Sequence, residues 1–111
     1  MMTIAVIGAG MIGSALVRSL VQSKYEGKVI VTDVRPERLS ELEMLGVRTA
    51  SDNKKAASEA DAVILCVKPG DVRKVLAEIK NEVTSKLVIS FAAAIKIDLL
   101  KKTVPDAQIV R

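Results

Sequence analysis

Histidine and tryptophan are absent from this 111-residue chain, and cysteine, tyrosine and phenylalanine occur once each. Because zinc sites are built mainly from histidine and cysteine, we expect no metal site. The single cysteine, Cys66, cannot form an internal disulfide. It lies in an apolar run, and we expect it to be a buried thiol in a protein of the reducing cytoplasm. Without histidine, and with most carboxylates on the outer faces of predicted helices, the sequence offers no catalytic residue.

Long hydrophobic runs are also missing. No apolar stretch approaches the roughly 20 residues of a membrane-spanning helix, and we expect neither a membrane segment nor a signal peptide. The net charge is +4, but the lysines and arginines are scattered between acidic residues instead of being clustered. Aromatic residues make up only 2% of the chain. Nucleic-acid binding commonly uses clustered cations and aromatic stacking surfaces, so we expect no nucleic-acid partner.

What the sequence does contain is an alternation of short apolar runs and helical patterns. Half of the residues are hydrophobic, enough for one domain over residues 1–111. Runs predicted to be strands are followed by segments with apolar residues at helical spacing, as in α/β proteins with a parallel sheet. We predict a Rossmann-type doubly wound sheet with strand order 3-2-1-4-5-6. The predicted strands are 3–7, 28–33, 47–49, 62–67, 86–91 and 108–110; the predicted helices are 11–23, 36–45, 53–60, a segment around 72–79, and 97–102.

The turn after the first strand reads Gly8, Ala9, Gly10, Met11, Ile12, Gly13. This G-x-G-x-x-G spacing between a strand and a helix is typical of dinucleotide-binding folds. Gly8 permits the tight turn, Gly10 allows a pyrophosphate to approach the backbone, and Gly13 lets helix and strand pack closely. The N–H groups near Met11 and Ile12 then face an anion at a helix N-terminus.

Three further segments follow predicted strands, and the carboxyl ends of those strands should meet at one edge of the sheet. Asp33 is an acceptor for ribose hydroxyls and favours NAD, whereas Arg35 is a cation for a 2′-phosphate and favours NADP, so both cofactors stay open. Lys68 is a candidate contact to cofactor or anionic substrate, or an ordinary strand-end lysine. Ser90 is either a polar contact near the nicotinamide or the polar end of its strand.

Four segments of the chain form a more specific pattern: the glycine turn, Asn53-Lys54, Val67-Lys68-Pro69 and the Val88–Ile95 segment, Val-Ile-Ser-Phe-Ala-Ala-Ala-Ile. In the order and spacing of these segments, and along its whole length, the chain resembles pyrroline-5-carboxylate reductase. The resemblance implies reduction of the imine 1-pyrroline-5-carboxylate to L-proline by hydride from NAD(P)H. It also implies a set of cofactor contacts: Gly8, Ala9, Gly10, Met11, Ile12 and Gly13 at the pyrophosphate, Asp33, Val34 and Arg35 at the adenosine, Asn53, Val67, Lys68 and Pro69 along the dinucleotide, and Ala92, Ala93 and Ala94 at the nicotinamide.

The chain departs from this family at three points. Ala94 stands where the family has glycine, Asp33 stands where the family often has a neutral residue, and the family's second, all-helical domain is missing. That domain dimerises and completes the substrate site, so we expect a homo-oligomeric enzyme of which this chain alone is inactive. The alternatives are the cofactor domain of a deazaflavin-dependent NADP reductase or of a β-hydroxyacid dehydrogenase, or a dinucleotide-sensing module without catalysis.

Overall fold

The computed structural model describes residues 1–91 and 97–110, which form a six-stranded parallel sheet with helices between the strands. The strands are β1 (Thr3–Ile7), β2 (Lys28–Thr32), β3 (Arg48–Ala50), β4 (Ala62–Leu65), β5 (Leu87–Ser90) and β6 (Gln108–Val110). The helices are α1 (Met11–Gln22), α2 (Pro36–Glu43), α3 (Asn53–Glu59), α4 (Pro69–Ile79) and α5 (Ile97–Thr103).

The strand order is β3-β2-β1-β4-β5-β6, with all neighbours parallel. This confirms the predicted order. The connections after β1 and β4 lead in opposite directions from the centre of the sheet, so a crevice opens between the carboxyl ends of these two strands.

Both faces of the sheet are covered, which explains why its inner strands read as continuous apolar runs. Side chains alternate along β1: Ala5 and Ile7 pack with α3, α4 and α5, whereas Val6 packs with α1 and α2. The two clusters are the hydrophobic core.

Strands β2 and β4 end one and two residues earlier than the sequence indicates because β1 leaves the sheet at Gly8, which adopts φ +103°. The last bonds to β1 run from Gly8 N–H to the Thr32 carbonyl (2.9 Å) and from Cys66 N–H to the Ile7 carbonyl (2.8 Å). Beyond these bonds β1 no longer runs beside the neighbouring strands, so Asp33 and Val67 have no strand residue of β1 with which to form backbone hydrogen bonds. They belong to the loops at the sheet edge instead of to β2 and β4.

The helices begin close to where the sequence predicts. Pro36 occupies the first turn of α2, and the Asp52 carboxylate caps α3 by accepting the N–H groups of Lys54 (3.0 Å) and Lys55 (3.2 Å). Helix α1 buries Gly13 and Val17, while Ile12, expected on its apolar face, is 54% exposed. No helix among residues 1–91 and 97–110 is long and apolar enough to cross a membrane.

Candidate functional site

A cleft of about 620 Å³ opens at the carboxyl edge of the sheet. It joins segments that are far apart in the chain, as the strand order requires. The predicted site residues that line it are Gly8, Gly10, Met11, Ile12, Asp33, Val34, Arg35, Asn53, Val67, Lys68 and Pro69. Ala9 and Gly13 lie beneath this surface. Ala9 is 3% exposed, and Gly13 is one of the buried residues of α1. Ala92, Ala93 and Ala94 lie outside the described residues, and their predicted contact with the nicotinamide stays a prediction.

Two glycines of the turn are required by the protein's own packing. A Cβ on Gly8 would lie 2.7 Å from the Cys66 carbonyl oxygen, in a backbone conformation that side chains rarely adopt. A Cβ on Gly13 would lie only 1.8 Å from the Gly8 carbonyl oxygen. These contacts bring α1 down onto the end of β1 and β4, in agreement with the predicted roles of both glycines.

Gly10 differs, because the protein itself leaves room beside it. The nearest atom to an added Cβ would be Arg38 Nη1 at 3.5 Å, an ordinary contact, and φ is −74°. The open side of Gly10 is part of the cleft wall. A group that approaches this backbone closely, as a pyrophosphate does, therefore fits the space that a side chain would fill.

The start of α1 adds the electrostatics that suit an anion. Its first helical hydrogen bond runs from Ser14 N–H to the Gly10 carbonyl (2.9 Å), so the N–H groups ahead of Ser14 have no carbonyl partner inside the helix. The first turn of α1 carries no acidic residue, and Gly10 provides no side-chain cap. Unpaired N–H groups and the positive end of the helix dipole therefore favour a phosphate at this end of the cleft.

The Asp33 carboxylate holds the loops together. Its Oδ2 accepts the Ala9 N–H (2.8 Å) and lies 3.4 Å from Arg38 Nη1, and its Oδ1 accepts the Arg35 N–H (2.8 Å). These three donors use most of the roughly four acceptor positions of a carboxylate. The side chain is only 5% exposed. Asp33 thus anchors the glycine turn, and its role as ribose acceptor stays a prediction.

Two arginines flank this carboxylate. Arg35 is exposed and lines the cleft, as predicted. Arg38, which the sequence analysis missed, also lines it, with a side chain that is 35% exposed. The signal was available, since residues three apart at the start of a helix share a face. This side of the cleft therefore carries two cations around a carboxylate that is already partnered.

Thr32 was missed as well. Its side chain is buried, at 1% exposure, and its hydroxyl donates to Asn53 Oδ1 at 2.6 Å. Asn53 itself is half-buried and lines the cleft. A lone threonine inside an apolar strand carries no motif that would have identified it.

The opposite wall is formed by the β4 end and by α4. Lys68 is exposed and precedes the first turn of α4, and Val67 and Pro69 line the cleft beside it. One face of α4 continues the wall with charged residues that the sequence analysis did not single out, namely Asp71, Lys74 and Glu78. Their spacing of three and four residues is the helical signal that would have grouped them.

Cys66 sits at the base of this wall, beside Gly13: a Cβ added to that glycine would lie 3.3 Å from the Cys66 Cβ. It is partly buried, less than the fully buried thiol that we expected. Desolvation by burial raises the pKa of its thiol from 9.0 to about 11. At neutral pH the thiol is therefore protonated and a poor nucleophile. Ser90 is the last residue of β5 and is 3% exposed.

The arrangement suits binding better than chemistry. It offers backbone donors, two arginines and two lysines to an elongated anionic ligand. In the part of the chain that the structure describes, no three histidine, cysteine, aspartate or glutamate residues are grouped to hold a metal ion.

Comparison with known proteins agrees with this geometry. A family model described as "NADP oxidoreductase coenzyme F420-dependent" matches residues 3–94. The pyrroline-5-carboxylate reductase of Corynebacterium melassecola is 42% identical over 109 residues, which is 93% of this chain and 40% of that protein. The chain thus spans about two fifths of the length of that relative.

Solved structures share the fold. A pyrroline-5-carboxylate reductase from Coxiella burnetii superposes with a TM-score of 0.92 at 31% identity, over 97% of this chain and 42% of that one. A variant imine reductase from Myxococcus stipitatus, solved in complex with NAD⁺, superposes with a TM-score of 0.83 at 25% identity, over 98% of this chain and 39% of that one. The resemblance to the N-terminal part of pyrroline-5-carboxylate reductases is thereby confirmed.

Proposed function

The chain belongs to the family described as NADP oxidoreductase, coenzyme F420-dependent, and we propose that it is the NAD(P)H-binding domain of a pyrroline-5-carboxylate reductase. The observation that carries the proposal is the match to such a reductase over 97% of this chain at a TM-score of 0.92. A glycine turn alone is shared by many families, whereas this match covers nearly the whole chain.

The cofactor we propose is NADPH or NADH, held across the cleft. Gly8, Gly10 and the first turn of α1 would hold the pyrophosphate, since the open side of Gly10 and the free N–H groups lie together there. The adenosine half would lie against Val34, Arg35 and Asn53. Val67, Lys68 and Pro69 would form the opposite wall, with the alanines 92–94 toward the nicotinamide. When bound, the dinucleotide supplies the hydride.

The substrate we propose is the small imine 1-pyrroline-5-carboxylate, reduced at its C=N bond to L-proline. The residues described here orient the cofactor and exclude water from one of its faces, but they do not enclose a substrate. In a protein of the relatives' length, we propose that the remaining three fifths supply the substrate pocket and the contacts of a homo-oligomer. The isolated 111-residue chain is then inactive. The cytoplasmic location expected from the sequence stays a prediction.

A second candidate is a deazaflavin-dependent NADP reductase, favoured by the description of the matching family. It would use the same cleft for NADP, so the two candidates differ in what the rest of the protein binds. The greater similarity to pyrroline-5-carboxylate reductases leads us to place this candidate second.

The test is an assay of the full-length protein. We expect oxidation of NADPH or NADH, followed at 340 nm, when 1-pyrroline-5-carboxylate is added, with L-proline as product. NADP-dependent oxidation of a reduced deazaflavin without proline formation would favour the second candidate. If the protein binds either dinucleotide but catalyses neither reaction, the result would favour the remaining alternative, a dinucleotide-sensing module without catalysis.

A further inference from the structure

Thr32 and Asn53 form a partly buried hydrogen bond that the proposed cofactor contacts do not by themselves require. The two oxygen atoms lie 2.6 Å apart, and the threonine side chain is 1% exposed. Thr32 is one of two buried polar residues among residues 1–91 and 97–110. Burying a hydroxyl in an apolar strand costs free energy unless the hydroxyl is hydrogen-bonded. A threonine at this position is therefore unlike its apolar neighbours in β2 and points to a specific role of the hydroxyl.

The position of Thr32 follows from the register of the strand. Ile30, two residues earlier, packs with Ala56 and Ala57 of α3. Because side chains two apart on a strand point to the same face, the Thr32 side chain also faces α3, whose first residue is Asn53. The pairing is therefore built into the fold of β2 and α3.

The bond holds the asparagine amide against the end of β2. A side-chain amide has an acceptor oxygen on one side and a donor NH₂ group on the other. In the structure the Thr32 hydroxyl engages Oδ1, and the Nδ2 group is directed away from it. Because a hydroxyl both donates and accepts, either end of the amide can pair with it, so the bond fixes the position of the amide. Asn53 lines the cleft, so the other end of its amide is offered there.

We propose that Thr32 is a positioning residue that holds the Asn53 amide in place to hydrogen-bond with the adenosine half of the dinucleotide. The inference rests on the proposed cofactor, whose ribose and phosphate oxygens are acceptors. The Thr32 carbonyl meanwhile accepts the Gly8 N–H at 2.9 Å. One residue at the end of β2 thus aligns both the glycine turn and the asparagine.

Replacing the hydroxyl tests the idea without changing side-chain shape. In Thr32→Val the amide loses this anchor and is free to move, and we expect NADPH and NADH to bind about five-fold more weakly by calorimetry, the effect of one lost hydrogen bond. Thr32→Ser keeps the hydroxyl and should restore affinity. Thr49→Val, which removes a hydroxyl bonded to exposed Glu43 outside the cleft, is the matched control and should bind like the wild type.

A double-mutant cycle separates positioning from general structural damage. Asn53→Ala should weaken binding, and adding Thr32→Val to it should weaken binding no further. Additive losses, or a Thr32→Ser variant as weak as Thr32→Val, would overturn the inference. Wild-type affinity in Thr32→Val would do so too while leaving the proposed cofactor intact, whereas a wild-type chain that binds neither dinucleotide would overturn both.

Discussion

The carboxylate of Asp33 accepts the backbone N–H of Ala9 at 2.8 Å, so the acid at the end of β2 is bonded to the glycine turn at the end of β1. An acid at this position is usually interpreted through the ribose that it contacts. Here most of its acceptor capacity is used within the protein. Its charge is moreover offset by Arg38, 3.4 Å away, so repulsion of a 2′-phosphate is weakened.

Asp33→Ala should therefore act first on stability. It leaves the Ala9 N–H without its partner, and we expect a loss of about 1–3 kcal/mol in the free energy of unfolding, measured with urea. NADPH and NADH should both bind more weakly, because the turn loses its anchor. Glu41→Ala, which breaks an exposed pair with Arg18, is the control and should change stability by less than about 1 kcal/mol. Unchanged stability with a loss confined to NADH would instead make Asp33 a ribose ligand alone.

Arg38→Ala should change the choice between cofactors. The guanidinium lies beside the open face of Gly10 and lines the cleft together with Val34 and Arg35. We expect the affinity for NADPH to fall about ten-fold and the affinity for NADH to fall less, since both cofactors carry the pyrophosphate proposed beside Gly10 but only NADPH carries a 2′-phosphate. Arg18→Ala, outside the cleft, controls for loss of overall positive charge. Equal losses for the two cofactors would contradict a role in discrimination.

Gly13→Ala should be strongly destabilising. The added Cβ would fall 1.8 Å from the Gly8 carbonyl oxygen, so α1 would have to move off the sheet. We expect a cost of about 2 kcal/mol or more, by comparison with overpacked cores. Gly70→Ala, in α4 with nothing within 4 Å of its added Cβ, should be neutral or stabilising. Thermal melts of the two variants make the comparison, and similar melting temperatures would refute the close packing.

Cys66 should give stability an alkaline dependence. The pKa of its thiol is 9.0 in the unfolded reference and about 11 in the native chain. As pH rises through this range, the unfolded chain releases a proton that the native chain retains, so stability is complete below pH 9 and declines above it. In Cys66→Ser this part of the decline should disappear, which urea titrations between pH 8 and 10.5 would measure. Parallel declines in both proteins would rule out the thiol as the cause.

The sequence predicted the strand order, the cleft and most of its lining, because apolar periodicity and glycine spacing are local signals that the topology then assembles. It placed the ends of β2 and β4 one and two residues too far, since where a strand ends depends on where β1 turns away at Gly8. It missed Thr32 because the importance of this residue comes from its contact with Asn53, which no local pattern encodes. Arg38 was missed although its spacing of three residues from Arg35 was a usable local signal.

Titration of the wild-type chain and a Gly10→Asp variant with NADPH and NADH is the most direct test of dinucleotide binding in this cleft. Gly10 has ordinary backbone angles and room for a side chain, and aspartate is a favourable residue at a helix N-cap. The variant should therefore melt at or above the wild-type temperature. We predict one saturable site in the wild type and no detectable binding in Gly10→Asp, whose carboxylate would occupy the place of the pyrophosphate. Equal binding by the two proteins would contradict the assignment of this cleft to the dinucleotide.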